Sequence, residues 1–140
     1  MIPTTPYSDT PANDFTIVSE ADLTTRTYYM NLERSRIRNY ADKKNAMKQV
    51  IFKILQTERY QYSKIYSDNY GVEFWDLIGK SAVYAVPVIE TRIKEALTWD
   101  ARITSVTDFQ FETKKSVIAV DFVAHTVFGD VEINSFEVSI

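Results

Sequence analysis

The residues whose types and spacing come nearest to a chemical site are Asp100 and Arg102, which stand two positions apart beside Trp99. A carboxylate and a guanidinium at this spacing form an ion pair, and the planar arginine fork also binds carboxylates or carbonyls in bidentate fashion. Two interpretations follow. The pair fixes a corner of the fold as a local salt bridge, which is worth little if exposed, or Arg102 binds a carboxylate or carbonyl of a partner.

The sequence contains few residues that could form a catalytic site or a metal site. His125 is the only histidine, and its apolar neighbours favour a satisfied core or partner-facing imidazole over a metal ligand or a base. No nucleophile-elbow motif is present, three glycines form no phosphate-binding loop, and the chain has no cysteine for a zinc site. Carboxylates are scattered rather than paired as in glycoside hydrolases. We therefore expect no catalytic residue, no cofactor and no metal.

Composition limits the classes of partner. The 140 residues suit one domain, and the net charge of −3 gives no basic footprint for nucleic acid. Arg34, Arg36 and Arg38 form a short basic segment, which we interpret as a turn or edge strand rather than a nucleic-acid patch. No apolar run is long enough to span a bilayer, and the first residues do not resemble a signal peptide. We expect neither nucleic acid nor membrane as a partner, and assembly in the cytoplasm.

The corner at Asp100 lies between a predicted helix and a predicted strand. Pro87 suits a first helical turn, and an apolar stripe at helical spacing follows the same stretch: Val86, Ile89, Ile93, Ala96 and Leu97. Trp99 is expected to close this helix against the core. After the corner, the strand pattern places one set of alternating residues on one face: Ile103, Ser105, Thr107, Phe109 and Phe111.

The N-terminal residues 1–23 are predicted to form an extended arm, because three prolines among polar residues exclude a helix or a central strand. The arm is either a disordered tail or a segment that orders along a partner. In the second case its anchors are the apolar residues Tyr7, Phe15, Ile17 and Val18. Residues 24–140 are predicted to form the domain.

The first half of that domain contains a strand, a helix and a tyrosine-rich stretch. Alternation predicts a strand from Arg26 to Leu32, and Asp42 is a good N-cap for a helix. The apolar residues of this helix recur at its period: Met47, Val50, Ile51, Ile54 and Leu55. A tyrosine run follows, which is either an interface or a loop packed on the core: Tyr60, Tyr62, Tyr66 and Tyr70. Phe74 to Ile78 then predict a short helix ending at Gly79.

The last 40 residues are predicted to be strands. Val117 to Phe128 is apolar almost throughout, as in a central strand covered on both faces, and Gly129-Asp130 marks a turn. The final stretch changes phase, which predicts a bulge near Asn134-Ser135. Its apolar residues are expected to belong to an edge strand that a partner can complete: Val131, Ile133, Phe136, Val138 and Ile140. The resulting fold class is α+β, with helices on one face of a C-terminal antiparallel sheet.

Several stretches together resemble one family. They are TTRTYYMNLERSRIRNYADKKNAMKQVIFKILQTERYQYSKIYSDNYGVEFWDLIGK, VIETRIKEALTWDARITSVTDFQFE and TVFGDVEI. Their order is similar to that of the small baseplate-wedge proteins of contractile-tailed phages, in the branch found in PBSX-type defective prophages and R-type bacteriocins. The wider family carries Glu-Pro-Arg at the corner, whereas this chain has Asp100-Ala101-Arg102.

The resemblance implies a structural role. Such proteins sit in the inner baseplate, bind the larger wedge subunits in multiple copies around a ring, and share the fold of the interlocking domain of the sheath protein. They initiate the sheath by strand exchange with the first sheath ring, and tube or hub proteins are further candidate partners. Trp99, Asp100 and Arg102 are then expected to contact the wedge, and the last strand to contact the sheath. A peptidoglycan hydrolase of the tail and an assembly factor absent from the finished particle are the alternatives.

Overall fold

A computed structural model describes residues 25–62 and 64–140 of the chain. The predicted arm at residues 1–23, with its anchors Tyr7, Phe15, Ile17 and Val18, lies outside the described residues. The rest is an α+β fold, as predicted. The helices and strands follow in this order, with a 3₁₀ turn at Trp75–Leu77 between the two helices: β1 (Thr27–Asn31), β2 (Arg36–Ala41), α1 (Lys43–Gln56), α2 (Ala82–Thr98), β3 (Ile103–Lys114), β4 (Val117–Thr126) and β5 (Gly129–Ser139).

The C-terminal sheet is antiparallel, with β4 between β3 and β5, and β1 and β2 form a separate hairpin. One face of β4 is fully buried beneath the helices, through Ile118, Val120, Phe122 and Ala124. The prediction of a central strand is confirmed, but coverage of both faces is not. On the second face Ala119 is buried, whereas Val117, Asp121, Val123 and His125 are only half-buried.

Helix α2 begins earlier than predicted. It starts at Ala82 after Ser81, and Pro87 lies inside it. The missing N–H of Pro87 leaves the carbonyl of Val83 without its helical donor. Because Val83 is 89% exposed, the helix bears this loss at its solvent-facing side rather than in the core. Trp99 is also misassigned by the sequence pattern. It ends the helix in a solvent-facing position, 59% exposed, and does not close the helix against the core.

The predicted phase of β3 is wrong only from Ser105 to Thr107, because Ile103, Phe109 and Phe111 all pack on the core side, as predicted. Val106, assigned to the outer face, is buried with Ile103, whereas Ser105 and Thr107 are exposed. The register against β4 shifts twice, between Ile103 and Ser105 and between Thr107 and Gln110. Each shift inserts an extra residue, which moves the following side chains to the opposite face of the strand.

The predicted bulge of β5 is confirmed. Val120 faces Phe136 and Phe122 faces Ile133, so β5 contains one extra residue at Asn134–Ser135. Ser135 adopts a positive φ of 54°, and its N–H donates to the Asp121 carboxylate at 2.6 Å. The turn before β5 consists of Val127 and Phe128, and Gly129 already belongs to the strand. The bulge keeps both halves of β5 facing the same core.

Helix α1 agrees with its prediction. Asp42 is the N-cap, and its carboxylate accepts hydrogen bonds from the Lys43 N–H at 2.8 Å and from the Thr25 hydroxyl. The apolar stripe is buried except for Val50, which is half-buried, and Gln49 is buried beside it. The basic segment that contains Arg34 forms the tip of the hairpin and most of β2, where its side chains are exposed.

Candidate functional site

The outer edge of β5 pairs with no other strand within residues 25–62 and 64–140. The Ile140 N–H donates to the Ser116 carbonyl at 2.9 Å. Because bonded and non-bonded pairs alternate in an antiparallel ladder, the N–H and C=O groups of Glu137 and Ser139 face away from β4. Such groups are a template for an added strand.

The edge of β1 that faces α1 is covered by a side chain of the same protein. Gln49 donates to the Tyr28 carbonyl and accepts from the Met30 N–H, both at 2.9 Å. Its amide therefore occupies the main-chain groups that an added strand would use. Gln49 is only 9% exposed, so these bonds are sheltered from water.

The outer edge of β3 is interrupted. Its two bulges break the regular spacing of main-chain groups, and Asp108 within the second bulge has a φ of +57°. Helix α2 packs against this strand, where the Lys94 ammonium lies 5.2 Å from the centre of the Phe109 ring. Bulges and coverage are the devices that protect an edge from pairing. Among the edges of the C-terminal sheet, β5 is the more open one.

A groove of about 870 Å³ runs along β5, between that strand, α1 and the end of the hairpin. Its apolar lining comes from Phe52 and Leu55 of α1, from Ile133 and Phe136 of β5, and from Tyr29, Met30 and Leu32 of the hairpin. An extended segment bonded to β5 would therefore have apolar side chains to contact on the helix side. The edge of β5 therefore offers a binding site with both main-chain groups and an apolar groove.

The five residues predicted on this strand lie mainly on its core side. Val131 and Val138 are fully buried, and Ile133, Phe136 and Ile140 are half-buried against the core. Their role in binding a partner stays a prediction. The groups of β5 that lie open are main-chain atoms and the exposed side chains between these five, which the apolar pattern did not single out.

The predicted corner is closed by its own ion pair. The Arg102 Nη2 and Nε atoms donate to the two Asp100 carboxylate oxygens at 2.7 and 2.9 Å, and the Arg102 N–H donates at 3.0 Å. Burial of Asp100 opposes its ionisation, but the bonds from Arg102 outweigh burial and hold the pKa of the carboxyl below its ordinary value. The local salt bridge is therefore present, and contact with a partner stays a prediction.

The tyrosine run lies near this corner. The rings of Tyr66 and Tyr70 stack with centroids 4.3 Å apart, and Tyr60 and Tyr62 are about half exposed. Burial raises the pKa of Tyr70, and the charges of Tyr66 and Asp100 raise it further. Tyr70 is thus within electrostatic range of the corner. Of the tyrosine run, Tyr70 is the residue that the charge of Asp100 reaches.

The loop that presents the tyrosines is held at its ends. Thr57 and Val72 share a main-chain bond of 3.0 Å, and Arg59 and Val72 share another of 3.2 Å. The Arg59 guanidinium also donates to the Gly71 carbonyl and to Glu95 of α2. These bonds fix the loop against the C-terminal half of α2.

A cluster around His125 is the polar arrangement that the sequence did not reveal. The imidazole Nδ1 lies 2.7 Å from the Asp130 carboxylate, and Nε2 lies 2.7 Å from the Thr107 hydroxyl. His125 is hydrogen-bonded, as predicted, and lies on the half-exposed face rather than in the core, so the partner-facing position stays a prediction. The connectivity resembles a hydroxyl-imidazole-carboxylate triad, yet it lies on the open strand surface, outside the groove. The cluster ties β3 to β4 and to the start of β5.

A metal site and a membrane-spanning helix each place specific requirements on the described residues. The described residues contain no group of three or more metal-ligating side chains. Neither of their helices has the length and hydropathy to cross a bilayer.

Comparison with known proteins gives two matches. The model of a family described as the contractile injection system sheath initiator matches residues 17–129. The phage-like element PBSX protein XkdS of Bacillus subtilis (strain 168) is 39% identical over 124 residues, which cover 86% of this chain and 87% of that protein. The range that the family model matches ends at Gly129, where β5 begins.

Proposed function

The chain belongs to the contractile injection system sheath-initiator family, and from that premise we propose that the outer edge of β5 accepts an extended strand of the first sheath ring. The family assignment gives a structural role in starting the sheath of a contractile tail. The finer role is that of an inner-baseplate wedge component, assembled in the bacterial cytoplasm and retained in the particle. The likeness to a PBSX phage-like element protein supports that location.

The open main-chain groups at Glu137 and Ser139, beside an apolar groove, are the observation that carries this proposal. Strand addition draws affinity from main-chain hydrogen bonds and selectivity from the side-chain surroundings. One such contact is modest, but copies arranged in a ring act together, which multiplies the strength of attachment by avidity. The attachment would also persist while the sheath contracts, because it depends on one strand rather than on a rigid interface.

The aromatic corner is proposed as the surface that faces the larger wedge proteins. Trp99 is 59% exposed beside the Asp100–Arg102 pair, and the charge of Asp100 reaches Tyr70, whose ring stacks on that of Tyr66. Exposed Trp and Tyr side chains around a charged pair match the composition of protein interfaces. In this proposal Arg102 orients the corner through Asp100, and Trp99 supplies the apolar contact. The sheath edge and the wedge surface then use different elements of the fold.

A single substitution in β5 tests strand addition. Glu137→Pro removes an outward N–H and places a ring at the edge, whereas pairing with β4 uses other residues of the strand. We expect baseplates and tubes that lack an attached sheath, seen by negative-stain electron microscopy of purified particles. The fold should persist, because Glu137 is exposed and proline is tolerated in edge strands.

Glu137→Thr is the matched control. It removes the same charge but keeps the N–H, so particles with this change should carry sheaths far more often than particles with Glu137→Pro. Circular dichroism and thermal melting of both purified variants establish that they are folded. Sheathed particles from folded Glu137→Pro protein would contradict the assignment of β5 as the sheath-binding edge.

A further inference from the structure

The charged residues along the β5 groove are mostly acidic. Glu132 and Glu137 are exposed on β5, and Glu33 lies at the hairpin end, whereas Lys48 is the only basic side chain among the groove residues that the structure describes. The two β5 glutamates therefore stand beside the path of any strand that bonds to this edge. This excess of negative charge is independent of the main-chain argument.

Side chains on an added strand would alternate between two environments. One set would point toward Phe52, Leu55 and the half-buried residues of β5, and the other would lie across from Glu132 and Glu137. Directly opposed charges of unlike sign stabilise a strand pair, and like charges destabilise it. The helix side thus favours apolar residues, and the outer side favours basic ones.

The bulge in β5 sets the spacing of the basic positions. On the other side of β5, the residues opposite Glu132 and Glu137 are Val123 and Ala119, which are four positions apart. A regular strand on the free side would meet the same two glutamates at about the same spacing. Residues between the basic positions, across from Ile133 and Phe136, would be apolar.

Resting on the proposed function, we infer that the segment β5 accepts belongs to a partner and alternates basic with apolar residues, with lysine or arginine about four positions apart. The chain's own N-terminal segment is a poor occupant. Residues 1–24 contain no lysine or arginine and carry four carboxylates, Asp9, Asp14, Glu20 and Asp22, which the groove glutamates would repel.

Synthetic peptides test the inference on the full-length protein. We would titrate ¹⁵N-labelled protein with an eight-residue peptide of alternating lysine and valine, and with its glutamate–valine counterpart. NMR shifts of the Gly129–Ser139 amides report binding at this edge even when it is weak. The lysine peptide should bind about tenfold more tightly, because two opposed pairs change from like to unlike charge. The double variant Glu132→Lys/Glu137→Lys should reverse the preference.

The backbone contribution is tested separately with a lysine–valine peptide methylated at alternate main-chain nitrogens. If the lysine and glutamate peptides bind equally and methylation abolishes both, the edge accepts strands and the charge inference is overturned. If methylation has no effect, or if no peptide shifts the β5 amides, strand addition at this edge fails together with the charge inference.

A second copy of this chain is the other occupant that the test separates. Strand β2 itself alternates Arg36, Ile37 and Arg38, and Ile37 is 68% exposed. Sedimentation of the protein alone should show monomers, with the lysine peptide binding them. The alternative outcome is self-association of the protein that is lost in both double variants, Glu132→Lys/Glu137→Lys and Arg36→Ser/Arg38→Ser. That result would assign the groove to β2 of a neighbouring copy and would overturn the inference of a separate partner.

Discussion

Gly71→Ala is expected to lower the free energy of unfolding by about 3–5 kcal/mol. Gly71 has a φ of +92°, where an L side chain is strained, and an added Cβ would lie 2.5 Å from the Thr57 carbonyl oxygen. That oxygen is main chain and already accepts the Val72 N–H, so the two segments can separate only by losing their hydrogen bonds. Urea unfolding followed by fluorescence measures the change.

Gly79→Ala is the matched control for the close approach. Gly79 has a similar φ of +85°, but a Cβ added there would meet no atom within 4 Å. It therefore incurs backbone strain alone, about 1–2 kcal/mol. If Gly71→Ala and Gly79→Ala lost the same amount of stability, the close approach of residue 71 to the Thr57 carbonyl would add nothing to the backbone strain. The tyrosine loop would then not depend on that approach.

Gln49→Leu is expected to release the hairpin from α1. The substitution keeps the size of the side chain but leaves the Tyr28 carbonyl and the Met30 N–H without their partner. An unsatisfied sheltered group costs about 1–3 kcal/mol, so opening of the hairpin should become easier by about 2–4 kcal/mol. Hydrogen exchange of the Thr27–Asn31 amides measures this free energy directly.

Lys48→Leu, one residue earlier on an exposed position, controls for a new leucine on this helix. We expect hairpin exchange in this variant to stay within about 0.5 kcal/mol of the wild type. Unchanged exchange in Gln49→Leu would mean that other contacts anchor β1. In that case Gln49 would not block the edge of β1, and this edge would be as open to an added strand as the edge of β5.

Local patterns predicted the elements that depend on local physics. Asp42 and the apolar stripe beginning at Met47 predicted α1, because a cap and a 3.6-residue period are sufficient for an amphipathic helix. The phase change between Ile133 and Phe136 predicted the bulge of β5, because an extra residue is what keeps two apolar sets on one face. These features need no knowledge of distant contacts.

The failures have a common cause in tertiary context. The sequence around Pro87 fits a first helical turn, but the solvent-facing position of Val83 four residues earlier accommodates proline deeper in the helix. In β3, polar residues at Thr104 and Asp108 concealed two bulges, because either residue fits a regular outer face in the sequence. Trp99 follows the apolar stripe and is therefore predicted to close the helix against the core, but large aromatic side chains also occur at exposed interface positions.

The candidate site was predictable only in outline. An open C-terminal edge followed from the apolar strand itself, but its groove depends on residues from α1, β1 and β5 that are far apart in sequence. Gln49 reaches β1 across 19 to 21 positions, and no periodic pattern marks an amide that will cover a strand. The charge of the groove likewise emerged only once Glu33 and Glu132 were brought near each other.

An electron cryomicroscopy reconstruction of the junction between baseplate and sheath would test strand addition at β5 directly. We predict a strand of the first sheath ring lying beside β5, with main-chain bonds to Glu137 and Ser139 and apolar side chains in the groove along α1. A β5 edge with no neighbouring strand in the assembled particle, or one covered by another segment of the same copy, would contradict this account.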